Sequence, residues 1–246
     1  MAAMQTQLIP PTRRTRLVHA ACAVGLAALV ASTAVGAAES DEAKRITESV
    51  DVLRTLTQAP DEGIPAYILE RAEAVVVIPT LVKGGFIVGA EHGRGLMSVR
   101  NRTTKQWSAP AFVVMTGGSV GWQIGVQSTD LVLVVMNRDG VDDLLKSEFT
   151  LGVNASVAAG PVGRSAEAST DARAGAKILA YSRARGLFAG ASIEGASLRS
   201  DDKANERFYG RKVSPEGLVS GSDVPLVPVA GGEWRAALER LVGPAQ

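Results

Sequence analysis

The chain has 246 residues, with 26 Lys and Arg against 25 Asp and Glu, a net charge of +1, and nearly half its residues apolar. So even a balance leaves no strongly basic footprint for nucleic acid, and this length and apolar content suit a single folded domain. Cys22 is the one cysteine, and His19 and His92 are the two histidines. Beyond residue 37, that excludes disulfides, thiolate zinc sites, multi-histidine metal centres and His-based catalytic triads.

The N-terminus reads as an export leader. Arg13, Arg14 and Arg16 form a basic start, residues 17–35 are apolar with many small side chains, and residues 34–38 offer small residues where a signal peptidase reads. We expect residues 1–37 to be cleaved and residues 38–246 to form one domain, periplasmic or secreted. A membrane anchor is the competing reading, because a span needs about 20 apolar residues. The Ala and Gly content and the small-residue exit favour cleavage. Arg13-Arg14 followed by Leu17 partly resembles a twin-arginine signal, so both that route and the Sec route stay open. Cys22 lies before the apolar run and not after it, which argues against lipidation. The leader removes three arginines and no acid, so the mature charge turns slightly negative.

Residues 40–58 read as a helix. Ser40 or Asp41 can cap it, acids fill the first turn, and Ile46, Val50, Leu53 and Leu56 share one face. Lys44, Arg45, Glu48, Asp51 and Arg54 occupy the rest. A helix lying in lipid headgroups wants a polar face rich in Lys and Arg, so these mixed signs favour packing on a sheet. Pro60 stops the helix, and residues 64–72 fit a second short one.

From Ala74 onward, short β-branched runs bounded by Gly and Pro read as strands. They cover residues 74–79, 83–90, 96–99, 117–125 and 131–136. Glycines recur inside them at a cost in backbone entropy, which suits strands that bend, bulge or admit a second backbone at close range. The pattern predicts an α+β fold: a strongly curled, mostly antiparallel sheet or barrel-like body with an apolar interior and flanking helices. Residues 101–105 read as a polar turn that places Arg100, Arg102 and Lys105 in solvent, and Pro110 as an edge or bulge. A helical turn follows at 141–146, and the strand pattern resumes over 150–162. Residues 177–183 and 187–194 read as a strand pair turning near Arg185-Gly186. Residues 200–209 read as a helix with Ser200 as cap and Gly210 as stop. A Pro- and Gly-rich, linker-like segment runs from about 213 to 231, and residues 233–241 form a last short helix. The glycine clusters have no fixed period, so this is not a repeat protein.

Few residues suggest chemistry. His92, alone in a Gly-rich strand, reads as structural. Residues 137–143 lack the alternating ligands and late glutamate of a calcium loop and read as a turn whose Asp caps a short helix. Lys83-Gly84-Gly85 and residues 160–165 lack the P-loop order of glycines followed by Lys and Ser or Thr. The basic residues say more. Lys177, Arg183 and Arg185 surround one turn, while Arg207, Arg211 and Lys212 flank Phe208-Tyr209. Rings among cations suit a membrane interface. They equally suit a solvated face with a ring tucked into the core.

Several motifs together carry a family resemblance: Ala74-Val75-Val76-Val77-Ile78-Pro79, Lys83-Gly84-Gly85-Phe86, the glycine run from Gly117 to Gly125, and Asp130 to Met136. Tyr181 to Gly190 and Asn205-Glu206-Arg207-Phe208-Tyr209-Gly210 complete the set. Over roughly residues 42–219 the chain resembles the SYLF domain, also called the Ysc84 actin-binding domain, in an exported bacterial form. The resemblance implies phospholipid binding, notably of phosphoinositides in eukaryotic members, where actin binding also occurs. It implies no catalytic residues. An exported bacterial protein meets neither actin nor, as a rule, phosphoinositides, so anionic lipid binding is what carries over.

The expected function is therefore non-enzymatic binding of anionic phospholipid at a peripheral membrane contact, with no cofactor, metal or nucleic acid. Expected headgroup contacts are Lys83, Arg183, Arg185, Arg207, Arg211 and Lys212, with Phe208 and Tyr209 as interface rings. The alternative is an envelope scaffold that binds a protein partner without touching lipid. A hydrolase using Asp or Ser is the third and weakest reading.

Overall fold

Two exceptionally long strands, β1 (Ala74–Val99) and β2 (Ala111–Val135), carry the fold. They pair antiparallel along almost their whole length, from Ala74 opposite Val135 to Met97 opposite Ala111. The computed structural model describes residues 40–59, 63–146, 149–162, 175–184, 187–188, 193, 195–222 and 226–242, with backbone alone at 85–88, 119–126, 184 and 187–188. The predicted leader lies outside the described residues.

A straight strand of this length would span about 86 Å at roughly 3.3 Å per residue. Instead β1 curls until its two ends meet: the Arg100 amide donates to the Glu73 carbonyl at 2.8 Å. Two register shifts supply bends, between Ile78 and Leu81 and between Gly85 and Ile87. At the first, Thr80 adopts a φ of +62°, which a β-branched residue rarely tolerates. Its amide is held by the Asp130 carboxylate at 3.3 Å. Gly95 shows why glycine is needed: a Cβ there would fall on the Val77 carbonyl oxygen and within 2.9 Å of Ile78 Cα. The strand packs against its own beginning at that point. The expected series of short strands is thus two long curled ones, because bulges and glycines bend the ladder without ending it.

Each half of β2 finds a further neighbour on its other edge. The first half pairs with β7 (Ser197–Ser200), the second with β5 (Ile178–Ala184). β3 (Phe149–Thr150) adds to β7, and β5 takes β4 (Val157–Ala159) in parallel and β6 (Leu187–Phe188) antiparallel. Of the expected pair at 177–183 and 187–194, β5 and the two residues of β6 are present and antiparallel, while residues 185–186, 189–192 and 194 lie outside the described residues. The resumed strand pattern over 150–162 gives only short pieces, interrupted by a turn where Gly152 has a φ of +80°. The result is α+β: a curled, mostly antiparallel, barrel-like sheet with helices around it.

Both faces of the sheet are covered around the start of β1, so residues 74–78 are apolar throughout and not alternating. Ala74, Val76 and Ile78 enter one core with Met97, Met115, Leu133 and Phe149. Helix α3 (Arg138–Leu144), capped by Asn137, closes that core with Val141 and Leu144. Val75 and Val77 enter the other core with Phe112, Val132 and the helices α1 (Asp41–Gln58), α2 (Ala66–Glu70) and α6 (Val229–Val242). Ser40 caps α1 by accepting from the Ala43 amide at 3.1 Å, and Ile46, Leu53 and Leu56 are buried. At the centre of α6, Trp234 is fully buried and its indole N–H donates to Ser98 Oγ at 2.8 Å.

Two expectations on the C-terminal third need correction. Helix α4 (Asp202–Tyr209) is capped by Asp201, which accepts from the Ala204 amide, while Ser200 closes β7; Gly210 stops it in the left-handed region as expected. The linker-like segment contains a helix, α5 (Pro215–Ser220), with Ser214 as cap and Pro215 in the first turn. Proline is preorganised for that position because its missing N–H has no partner there anyway.

Candidate functional site

The charged residues sort into those tied inside the fold and those left in solvent. Helix α1 is buckled to α4 twice. Arg207 grips the Glu42 carboxylate through Nε at 2.8 Å and its terminal nitrogen at 2.7 Å. That contact holds the Arg207 guanidinium above its ordinary pKa. Arg45, expected on the polar face of α1, is buried; it donates to Asp201 at 3.0 Å and lies 5.3 Å from the Phe112 ring centre. Beneath them Asn205 acts as a strand substitute: its side chain accepts from the Phe112 amide at 2.8 Å and donates to the Phe112 carbonyl at 3.1 Å. The buried backbone groups at the start of β2 are thereby satisfied.

Several other cations are also engaged. Lys83 meets the buried Glu91 at 2.8 Å, though eight straight strand residues would separate them by about 26 Å; the curl of β1 brings them together. Arg183 bonds Asp130 at 3.2 Å from the directly opposite strand position. Lys177 and Lys146 both bond Asp143, and their ammonium groups hold its carboxyl below the usual range. Arg100 is a correction. Expected in solvent, it is buried over the Trp107 ring at 4.6 Å and donates to the Glu70 carbonyl at 2.7 Å; desolvation lowers its pKa.

The two aromatic residues expected at an interface turn inward. Phe208 is half-buried, with its ring centre 5.0 Å from Phe112 and 4.9 Å from Tyr209. Tyr209 is buried and donates its hydroxyl to the Pro110 carbonyl at 2.6 Å; burial pushes its pKa well above the ordinary phenol value. Arg185 lies outside the described residues. Arg211 and Lys212 are exposed just beyond Gly210, as are Lys203 and Arg207 on α4. These four form an exposed basic stripe. The fold adds a second feature, a groove of about 630 Å³ between α1 and β1, lined in part by Lys44, Glu48, Val82, His92 and Arg94. Sequence reading gave Asn205 only as part of a family motif, without its structural role, and passed over Arg94 and the groove, since a lone exposed Arg or a helical Asn carries no local signal.

Among the described residues no cluster of His, Cys, Asp and Glu could hold a metal, and no helix is long and apolar enough to cross a membrane. The Ysc84 profile, described as "Las17-binding protein actin regulator", matches residues 116–241, just over half the chain. The chain belongs to the Ysc84 family. Relatives include Protein YSC84 of Saccharomyces cerevisiae, 40% identical over 175 residues that make up 69% of this chain and 36% of the relative. LAS seventeen-binding protein 3 from the same species is 40% identical over 65% of this chain and 35% of its own length. The rat SH3 domain-containing YSC84-like protein 1 is 35% identical over 75% of this chain and 54% of its own. The chain thus spans about a third to a half of these relatives. The matched region runs from β2 through α6 and so includes the basic stripe.

Proposed function

We propose that this Ysc84-family protein is a non-catalytic binding domain that docks reversibly on anionic phospholipid surfaces of a bacterial envelope. One observation carries the reading. Lys203 and Arg207 lie four residues apart on α4, Arg211 and Lys212 follow directly after its Gly210 stop, and all four are exposed, with Arg207 also held by Glu42. Each Lys or Arg near an anionic surface contributes about 1 kcal/mol. Two or three such contacts give roughly a ten- to hundredfold preference over a neutral surface. That is too weak for permanent anchoring, so the domain visits the surface and leaves. The leader read at residues 1–37 supports an envelope location.

Vesicle sedimentation tests the proposal. Binding should be strong on anionic vesicles, weak on neutral ones, and lost at high salt, because exposed charges are screened within about 10 Å at 0.1 M salt. Lys203→Glu with Lys212→Glu should weaken binding at least tenfold without lowering the melting temperature. Arg102→Glu with Lys105→Glu, on the exposed turn, is the matched control. Equal loss from both pairs, or indifference to salt, would overturn the reading.

A second reading has its own observation. Leu226 and Val229 are 95% and 81% exposed, beside a cleft whose walls include Trp107, Leu218 and Val227. Together with the relatives' names, this favours a protein partner at that end. Such binding would survive charge reversal on α4 and fail with Leu226→Asp.

A further inference from the structure

The groove between α1 and β1 has two walls of different charge. On β1, His92 and Arg94 are two residues apart, so their side chains leave the same face of the strand. Both are exposed, and neither makes an ion pair or hydrogen bond among the described residues. On α1, Asp41, Lys44 and Glu48 succeed one another at helical spacing, acid, base, acid, along the groove. Lys44 and Glu48 approach only to 3.8 Å, with side chains 67% and 48% exposed. Such a surface pair contributes little and both members stay available to a ligand. Arg45 at the base contributes no net charge, because Asp201 neutralises it. Val82, 40% exposed, and Pro79 give the groove an apolar end. At about 630 Å³ the groove is wide open to solvent and has room for a small polar headgroup.

A purely anionic ligand would face Asp41 and Glu48, and a purely cationic one would face Arg94 and Lys44. We propose that this groove binds a small zwitterion carrying a phosphate and a primary ammonium, of the phosphoethanolamine type. Arg94, with its planar fork of donors, takes the phosphate together with Lys44 and His92. Glu48 and Asp41 take the ammonium. The apolar end suits a glycerol or acyl stem. The site adjoins the basic stripe on α4 at Arg207, which grips Glu42 and feels the charge of Asp41, but it uses none of Lys203, Arg211 and Lys212 and does not rest on the anionic-surface reading.

Calorimetric titration of the full-length protein with O-phosphoethanolamine tests it, with inorganic phosphate and ethanolamine as half-ligands. The zwitterion should bind at least tenfold more tightly than either half. Arg94→Gln should weaken the zwitterion and phosphate tenfold but leave ethanolamine unchanged. Glu48→Gln should do the converse. Vesicles of phosphatidylethanolamine against phosphatidylcholine separate the two sources of this chemistry: preference for the former marks a lipid headgroup, while binding of the soluble compound alone marks a free metabolite. Lys203→Glu with Lys212→Glu should leave the titration unchanged, which keeps this test distinct from that of the stripe. Equal affinity for the zwitterion and its halves, or wild-type titrations from both groove variants, would overturn the proposal.

Discussion

At the scale of single residues, two adjacent glycines in α6 are placed under opposite constraints. A Cβ on Gly231 would lie 2.7 Å from Val227 Cγ1 and 3.3 Å from the Phe208 ring, whereas one on Gly232 would meet nothing within 4 Å. Alanine in an exposed helical position reduces the entropy lost on folding and is worth about 1 kcal/mol over glycine. Overpacking a filled site costs roughly 1–3 kcal/mol. Gly232→Ala should therefore raise the melting temperature and Gly231→Ala should lower it. A pair of melts that move together would contradict the packing of α6 on Phe208. Asn205 illustrates the same dependence on place: its amide is worth its position only because Phe112 presents both an N–H and a carbonyl to it.

Elements are shaped here by where chain meets chain. β1 can curl through its own starting point because Gly95 leaves room for the Val77 carbonyl, and no side chain fits there. Gly118, on the partner strand opposite Ala90, faces open space. Valine suits an open strand position. Gly95→Val should therefore destabilise by several kcal/mol, or prevent folding, through overpacking against rigid backbone, while Gly118→Val should be neutral or slightly stabilising. Chemical denaturation of the two variants against the parent gives the comparison. Equal midpoints would show that the ribbon does not cross itself at Gly95.

For the whole molecule, Tyr209 ties α4 to the loop before β2 and couples stability to alkaline pH. Its phenol keeps its proton in the fold, because burial raises its pKa, whereas in the unfolded chain it ionises near pH 10. A raised folded pKa means the unfolded state loses its proton first. This contribution is complete below about pH 10 and is lost as pH rises beyond it. Tyr209→Phe should cost about 1–3 kcal/mol near neutral pH by stranding the Pro110 carbonyl. It should also flatten the alkaline decline, as read from denaturant midpoints over a pH series. A parent whose stability is level across that range would refute the buried, donating phenol. At the acid end Asp143, held low by Lys146 and Lys177, acts in the opposite sense: its contribution is present above the ordinary Asp range near pH 3.9 and disappears as pH falls through its depressed value.

Local signals by themselves determined a good part of this protein. Ser40 followed by Ile46, Leu53 and Leu56 marks α1, since cap and periodicity both act within a few residues. The β-branched runs at 74–79 and 131–136 mark strands, and the motifs around Lys83, Gly117 and Asn205 mark the family. The tertiary structure alone decided how these pieces join. Glycine and proline read locally as strand ends, but the continuous antiparallel pairing of β1 with β2 carries bulges through them, so several expected strands became β1 and β2. The linker-like segment after Val213 became α5 because Ser214 and Pro215 cap a turn that the core then covers with Leu218. Above all, the fate of each cation lay in the fold. Arg207 finds Glu42 across 165 residues and Arg45 finds Asp201 across 156, while Arg94 and Lys212 find no partner among the described residues. Charge pairing acts over a few ångströms in space and is indifferent to distance along the chain. Which basic residues stay available to a ligand therefore follows from chain crossings that no local pattern contains.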